Sequence, residues 1–118
     1  MSNNTEESYQ QDLARIIKNG RQRIDWLDHT LQTLLIERAA LAKQLGWAKQ
    51  ARQTTPSLHV PAREQEILAK RHAQDSGDLL PEELDRIWGA IMAACLHVQE
   101  RHAVEPQQHV AAAPNQRA

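Results

Sequence analysis

Phenylalanine is absent, tyrosine occurs once, cysteine once and glycine four times in 118 residues, and the formal charges nearly cancel at −1. Each scarcity excludes something. Few aromatics beside abundant Ala, Leu and Gln is the composition of helices, not of sheets. A lone cysteine, Cys95, excludes an internal disulfide and suits a reducing compartment. A chain without a strong net charge raises no global field toward nucleic acid or an anionic membrane. The amino terminus, Ser2 to Gln11, is polar and acidic with no apolar signal core, and no apolar run is long enough to cross a bilayer. The expectation is one soluble, cytoplasmic domain with neither nucleic acid nor membrane as partner. There is no internal repeat and no glycine-rich phosphate loop. The histidines at 29, 59, 72, 97, 102 and 109 show no i, i+4 pairing with a carboxylate motif that would hold zinc, so no metal is expected. His97 and His102 stand five apart, off a common helix face, and read as solvated.

What the chain does have is a long apolar seam with a cation in it. Gly20, Ile24, Leu27, Leu31, Leu34, Arg38, Leu41, Leu45 and Ala48 follow an alternating four-three step, the stripe a coiled coil buries. Arg38 occupies a leucine position. A guanidinium cannot shed its proton, so burying one there costs several kcal/mol, roughly, unless an anion meets it. Lys49 lies eleven residues further on, about 20° round the same face and about 16 Å along the axis. Two cations on one apolar stripe, with space between them, suit a compact anion. The plainer alternative is that both lay their methylene stems along apolar surface and lift the charge into water.

Three helices account for the body, which makes the fold class all-α. The first is expected from about Asp12, as N-cap, to about Arg52, interrupted by no proline. At 1.5 Å per residue it is about 60 Å long, far beyond the core radius of so small a domain, so its seam needs a second chain. The simplest solution is a two-fold homodimer with paired long helices. Residues 53–60 read as a loop around Pro56. Pro61 opens a second helix running to about Ser76 and closed by Gly77. Leu80-Pro81-Glu82-Glu83 opens the third, whose stripe is Leu84, Ile87, Trp88, Ile91, Met92, Cys95, Val98 and Gln99. The organisation expected is a flexible segment over 1–12, a helical domain over 13–103, and a disordered Pro/Gln/Ala/His tail over 104–118. Cys95 has no base near it in sequence and reads as a packing residue of that stripe.

Taken together, the polar residues on these buried faces are Arg21, Arg38, Lys49, Arg63, Glu64 and Gln99. The first helix carries Gly20-Arg21-Gln22-Arg23-Ile24-Asp25-Trp26-Leu27-Asp28, then Leu34-Leu35-Ile36-Glu37-Arg38, then Leu45-Gly46-Trp47-Ala48-Lys49. Pro61-Ala62-Arg63-Glu64-Gln65-Glu66-Ile67-Leu68 follows, and Gln99 closes the third helix. This ordered set, over about residues 13 to 102, resembles the all-helical, AroQ-class chorismate mutases. The resemblance implies an intertwined all-α dimer with two sites, a dianionic small-molecule substrate, no cofactor, and a [3,3]-sigmatropic rearrangement of chorismate to prephenate, a step of aromatic amino acid biosynthesis. It implies that Arg38 binds one substrate carboxylate and Arg21 of the other chain the second. Lys49 and Gln99 would donate to the ether oxygen of the breaking bond, Glu64 would accept from the ring hydroxyl, and Arg63 would support the polar rim. Val60 stands where the family uses a backbone N–H, and Cys95 where it often has a small polar residue.

Elementary chemistry agrees with that implication. A concerted rearrangement needs no nucleophile, acid or metal; it gains from holding a flexible dianion in a folded, near-attack shape, which arginines do well. Charge builds on the ether oxygen as its C–O bond breaks, so fixed donors there favour the transition state over the ground state. Arg21 and Arg38 are seventeen residues apart, hence about 25 Å along one helix and about 100° round it, too far for one small ligand to touch both. An antiparallel partner delivers its Arg21 beside this chain's Arg38.

Three departures bear on specificity. The loop between Lys49 and Arg63 is about two residues longer than in compact members of the family, Val60 takes a position where an acidic residue can occur, and Leu80 replaces a polar N-cap at a cost of up to about 1 kcal/mol. The same fold serves isochorismate-pyruvate lyases, which tend to lack a glutamate at the Glu64 position, and aminodeoxychorismate mutases, since Glu64 accepts from an ammonium as readily as from a hydroxyl. A helical dimerisation module without catalysis is the alternative of a different class; it predicts apolar residues at 38 and 99.

Overall fold

The computed structural model describes residues 2–52 and 57–103, with the side chain of Ser2 excepted. It contains three α-helices: α1 over Ser2–Arg52, α2 over Pro61–Ala73 and α3 over Pro81–Arg101. Among the described residues there is no strand, and the molecule is all-α as its composition dictates. Part of the expected loop, at 53–56, and the expected tail, over 104–118, lie outside the described residues.

Two boundaries differ from the reading of the sequence. Helix α1 begins at Ser2, ten residues before the expected N-cap at Asp12. Residues 2–11 contain neither proline nor glycine, so nothing in them breaks a helix. Asp12, moreover, does not cap: its Oδ1 accepts from the Arg15 guanidinium at 3.1 Å, one turn along the same helix. Helix α2 stops at Ala73 rather than Ser76, with Gln74 already extended (φ −83°, ψ 145°). The reason is local competition for backbone donors. Asp75 Oδ1 accepts from the Gly77 N–H at 3.1 Å, a turn that a helix would have to break. Gly77 takes the left-handed φ of +57°, which only glycine adopts without penalty, and so turns the linker toward α3.

The chain divides into two compact units, 1–36 and 37–118. The first is α1 alone. Its seam residues Ile24, Leu31 and Leu34 are 56%, 57% and 55% exposed, so this apolar stripe has no cover within the unit. The second unit contains the end of α1 with α2 and α3. Its core is small: Met92 and Cys95 are the buried apolar side chains among the described residues. Both fall on the expected stripe of α3, as do the half-buried Leu84, Trp88, Ile91, Val98 and Gln99. Ile87 does not join them and is 45% exposed, because it lies about 100° round the helix from the Met92–Cys95 line. Helix α2 is held to α3 by the Arg71 guanidinium over the Trp88 ring, 5.4 Å from its centroid, and by His72 Nε2 at 2.6 Å from Asp85 Oδ1.

The start of α3 shows how a leucine serves as N-cap. Leu80 has no side-chain oxygen to offer the first turn, but its own N–H donates to Glu83 Oε1 at 2.9 Å. That is half of a capping box. Since Leu80 is more than half exposed, replacing it removes little packing. Leu80→Ser restores the missing oxygen and is expected to stabilise the protein by about 1 kcal/mol; urea denaturation followed by circular dichroism measures it, and a stability equal to or below that of the parent contradicts this account of the cap.

Candidate active site

Within the second unit a cavity of about 300 Å³ opens between the last turns of α1, the start of α2 and the end of α3. Arg38, Lys49, Val60, Arg63, Glu64, Cys95 and Gln99 all line it. Seven of the eight residues singled out in the sequence therefore converge on one concavity, though they come from all three helices and are separated by as many as 61 positions (99 minus 38). Apolar walls come from Leu41, Leu45, Ile67 and Met92. The eighth, Arg21, belongs to the first unit, is exposed, and is not among the lining residues.

Arg38 is the best-determined member. Its Nη1 donates to Cys95 Sγ at 3.0 Å, and its guanidinium carbon lies 6.0 Å from the centre of the Trp88 ring. A thiol is a weak acceptor and an indole face a diffuse one. Among the described residues no carboxylate pairs with Arg38 or with Lys49. Arg38 is also half-buried rather than lifted into water, which sets aside the reading in which it merely snorkels. The burial of Cys95 agrees with a packing role, but its sulfur faces the cavity and fixes the arginine as well.

One turn away along both helices, Gln99 makes the next polar contact between α3 and α1. Its Nε2 donates to the Ala42 carbonyl at 2.7 Å, using the second lone pair that the acceptor's own helical bond leaves free. That bond locks the side chain and leaves the amide a second N–H for the cavity. Gly46 makes the approach possible. A Cβ built on it would lie 3.0 Å from Gln99 Cγ and 3.3 Å from Gln99 Cβ, closer than carbon atoms pack. Linear sequence does not distinguish Gly46 from Gly20, which lies in the same helix with nothing near its Cβ position; only the packing of α3 marks Gly46 as a close approach.

The α2 rim is preset by its backbone. The Val60 carbonyl accepts from the N–H groups of Arg63 at 3.0 Å and Glu64 at 3.2 Å, which begins the helix and brings Glu64 to the cavity. Arg63 is engaged with Glu66 on its own helix. Glu64 Oε1 lies 3.2 Å from His59 Nε2. His59 was read from sequence only as one of six unconnected histidines; nothing in linear spacing places an imidazole from the connecting loop against this carboxylate. Among the described residues the cavity offers two cations without carboxylate partners, one locked amide and one carboxylate acceptor, a set whose chemistry suits holding and orienting an anion.

The model of the family described as chorismate mutase type II matches residues 20–100 of the chain. The bifunctional chorismate mutase/prephenate dehydratase of Aquifex aeolicus (strain VF5) is 37% identical over 89 residues, 72% of this chain. The chain spans 24% of that relative's length. No solved structure matches. With 81 residues matched (100 minus 20, plus one) and the polar set of the three helices gathered in one cavity, the chain belongs to the type II chorismate mutase family.

Proposed function

We propose that the chain is a chorismate mutase, an isomerase that converts chorismate to prephenate by conformational restraint and by electrostatic stabilisation of the ether oxygen. The observation that carries this reading is Arg38: a half-buried guanidinium held in a cavity by a thiol and an indole, with no carboxylate partner among the described residues. A substrate carboxylate supplies the missing counterion. Lys49 and the second N–H of Gln99 then donate to the ether oxygen, where charge accumulates as the bond breaks. Glu64 accepts from the ring hydroxyl, the Val60 N–H meets the ligand while its carbonyl serves α2, and Arg63 shapes the rim. Cys95 acts through Arg38 by fixing its guanidinium.

The second carboxylate needs another cation, and here the proposal extends to the assembly. We take the active species to be a homodimer in which Arg21 crosses from the partner. The uncovered seam of residues 1–36 supports it, since exposed leucines and isoleucines at four-three spacing are stable in water only when a second helix covers them. The domain so formed takes in residues 13–103, works in the cytoplasm, and binds a small dianion without metal or cofactor.

Substrate identity is tested by incubating the protein separately with chorismate, isochorismate and aminodeoxychorismate, measuring isomer formation and pyruvate release. The expected outcome is an isomer of unchanged mass from chorismate; pyruvate release from isochorismate identifies a lyase, and inertness to all three a dimerisation module.

The composite site has its own test. Arg21→Ala and Arg38→Ala homodimers each lack one clamp at both sites and are expected to be nearly inactive. Unfolded and refolded together, about half of the dimers are mixed, and one site of each mixed dimer is intact, so roughly a quarter of parental activity returns. No recovery, despite mixed dimers demonstrated by mass spectrometry, excludes the exchange of Arg21 between chains.

Gly46→Ala separates the site from the fold. Alanine raises helix propensity by about 0.5–1 kcal/mol, but its methyl displaces the Gln99 stem. Turnover is expected to fall at least tenfold while the melting temperature changes by a few degrees, about 5 °C at most; parental turnover shows that Gln99 does not need its position against α1.

A further inference from the structure

His59 lies outside the polar set assigned above, yet its side chain makes the closest contact that the Glu64 carboxylate has among the described residues. Three observations place it there. The His59 N–H donates to Ser57 Oγ at 3.2 Å, a local turn that fixes the residue's backbone. Its Nε2 reaches Glu64 Oε1 at 3.2 Å. Both side chains line the cavity, and the imidazole is about half exposed, so protons exchange with solvent freely.

The consequence concerns which group the carboxylate accepts from. A ring hydroxyl needs from Glu64 only a directional acceptor, whereas an ammonium at the same position also gains from the full negative charge. A neighbouring imidazolium leaves the second carboxylate oxygen available as acceptor but cancels much of that charge, and it repels an ammonium directly. We propose that His59 is a specificity-determining positioning residue, holding Glu64 for a neutral hydroxyl and, when protonated, discriminating against an ammonium-bearing analogue of the same dianion. The inference rests on the chorismate mutase reading of the cavity. The other charged side chains that line the cavity with the imidazole are Arg38 and Lys49 of α1 and Arg63 of α2; the polar side chains of α3 that line it are Cys95 and Gln99.

The experiment uses the full chain with chorismate as substrate and aminodeoxychorismate as competitor, at pH 7.5 and pH 5.5. The reading is the ratio of the competitor's inhibition constant to the KM for chorismate. In the parent this ratio is expected to rise about three- to tenfold on acidification, the size of a screened interaction between two like charges near a protein surface. His59→Gln keeps a hydrogen-bond donor beside Glu64 but carries no charge, and its ratio is expected to be flat. His59→Lys carries a permanent charge, and its ratio is expected to be high at both pH values. A merely structural histidine predicts no such opposition between the two variants. His59→Gln retaining the parental trend, or His59→Lys behaving like His59→Gln, overturns the proposal. Failure of the parent to turn over chorismate at all overturns instead the functional reading on which it rests.

Discussion

A guanidinium in a helical seam needs an electrostatic partner, and among the described residues this protein gives it two weak ones. Arg38 is held by the Cys95 sulfur and the Trp88 face. Had a carboxylate of the same chain paired with it, the unliganded fold would be more comfortable and the cavity useless for an external anion. The partners it has are sufficient to orient the group and insufficient to neutralise it. Other features of the site follow from this constraint: apolar walls that keep the local dielectric low, a second cation at Lys49 on the same helix face, and an arginine on the rim, Arg63, whose charge is already satisfied by Glu66.

The contact of Gln99 with α1 depends on close packing more than on charge. Gln99 is useful as a donor only if its amide does not wander, and the bond to the Ala42 carbonyl holds it. That bond requires α3 to approach α1 where α1 has no side chain, at Gly46. A helix interior tolerates glycine at a cost of up to about 1 kcal/mol relative to alanine. Here the cost secures a fixed donor, an instance of local stability yielding to the geometry of a site.

On the proposed reading, stability and function are coupled through the seam as well. The second unit buries little: two apolar side chains among the described residues, with Leu41 and Leu45 left more than half exposed beside the cavity. So small a core leaves a narrow margin for a domain of this length. Covering the stripe of α1 with a second helix adds buried apolar area at about 25 cal/mol per Å², and on the proposed reading it also delivers the cation the site lacks. Assembly and site completion are then one event.

Much of this was legible before any coordinates. Seam periodicity marked α1, the prolines at 61 and 81 marked the starts of α2 and α3, and a cation at a leucine position marked the site. These are local signals, because helix period, proline geometry and charge are properties of neighbouring residues. The boundaries at Ser2 and Ala73 escaped, since Asp12 and Asp75 spend their carboxylates on side-chain and turn bonds that compete with capping on nearly equal terms. What sequence alone determined is the set of groups: which cations, which amide, which carboxylate. What only the tertiary structure decided is who holds them, the Cys95 thiol on Arg38, Ala42 and Gly46 on Gln99, and His59 on Glu64. Those contacts join residues from different helices and the connecting loop, and their energies depend on distances of a few tenths of an ångström that no linear spacing encodes.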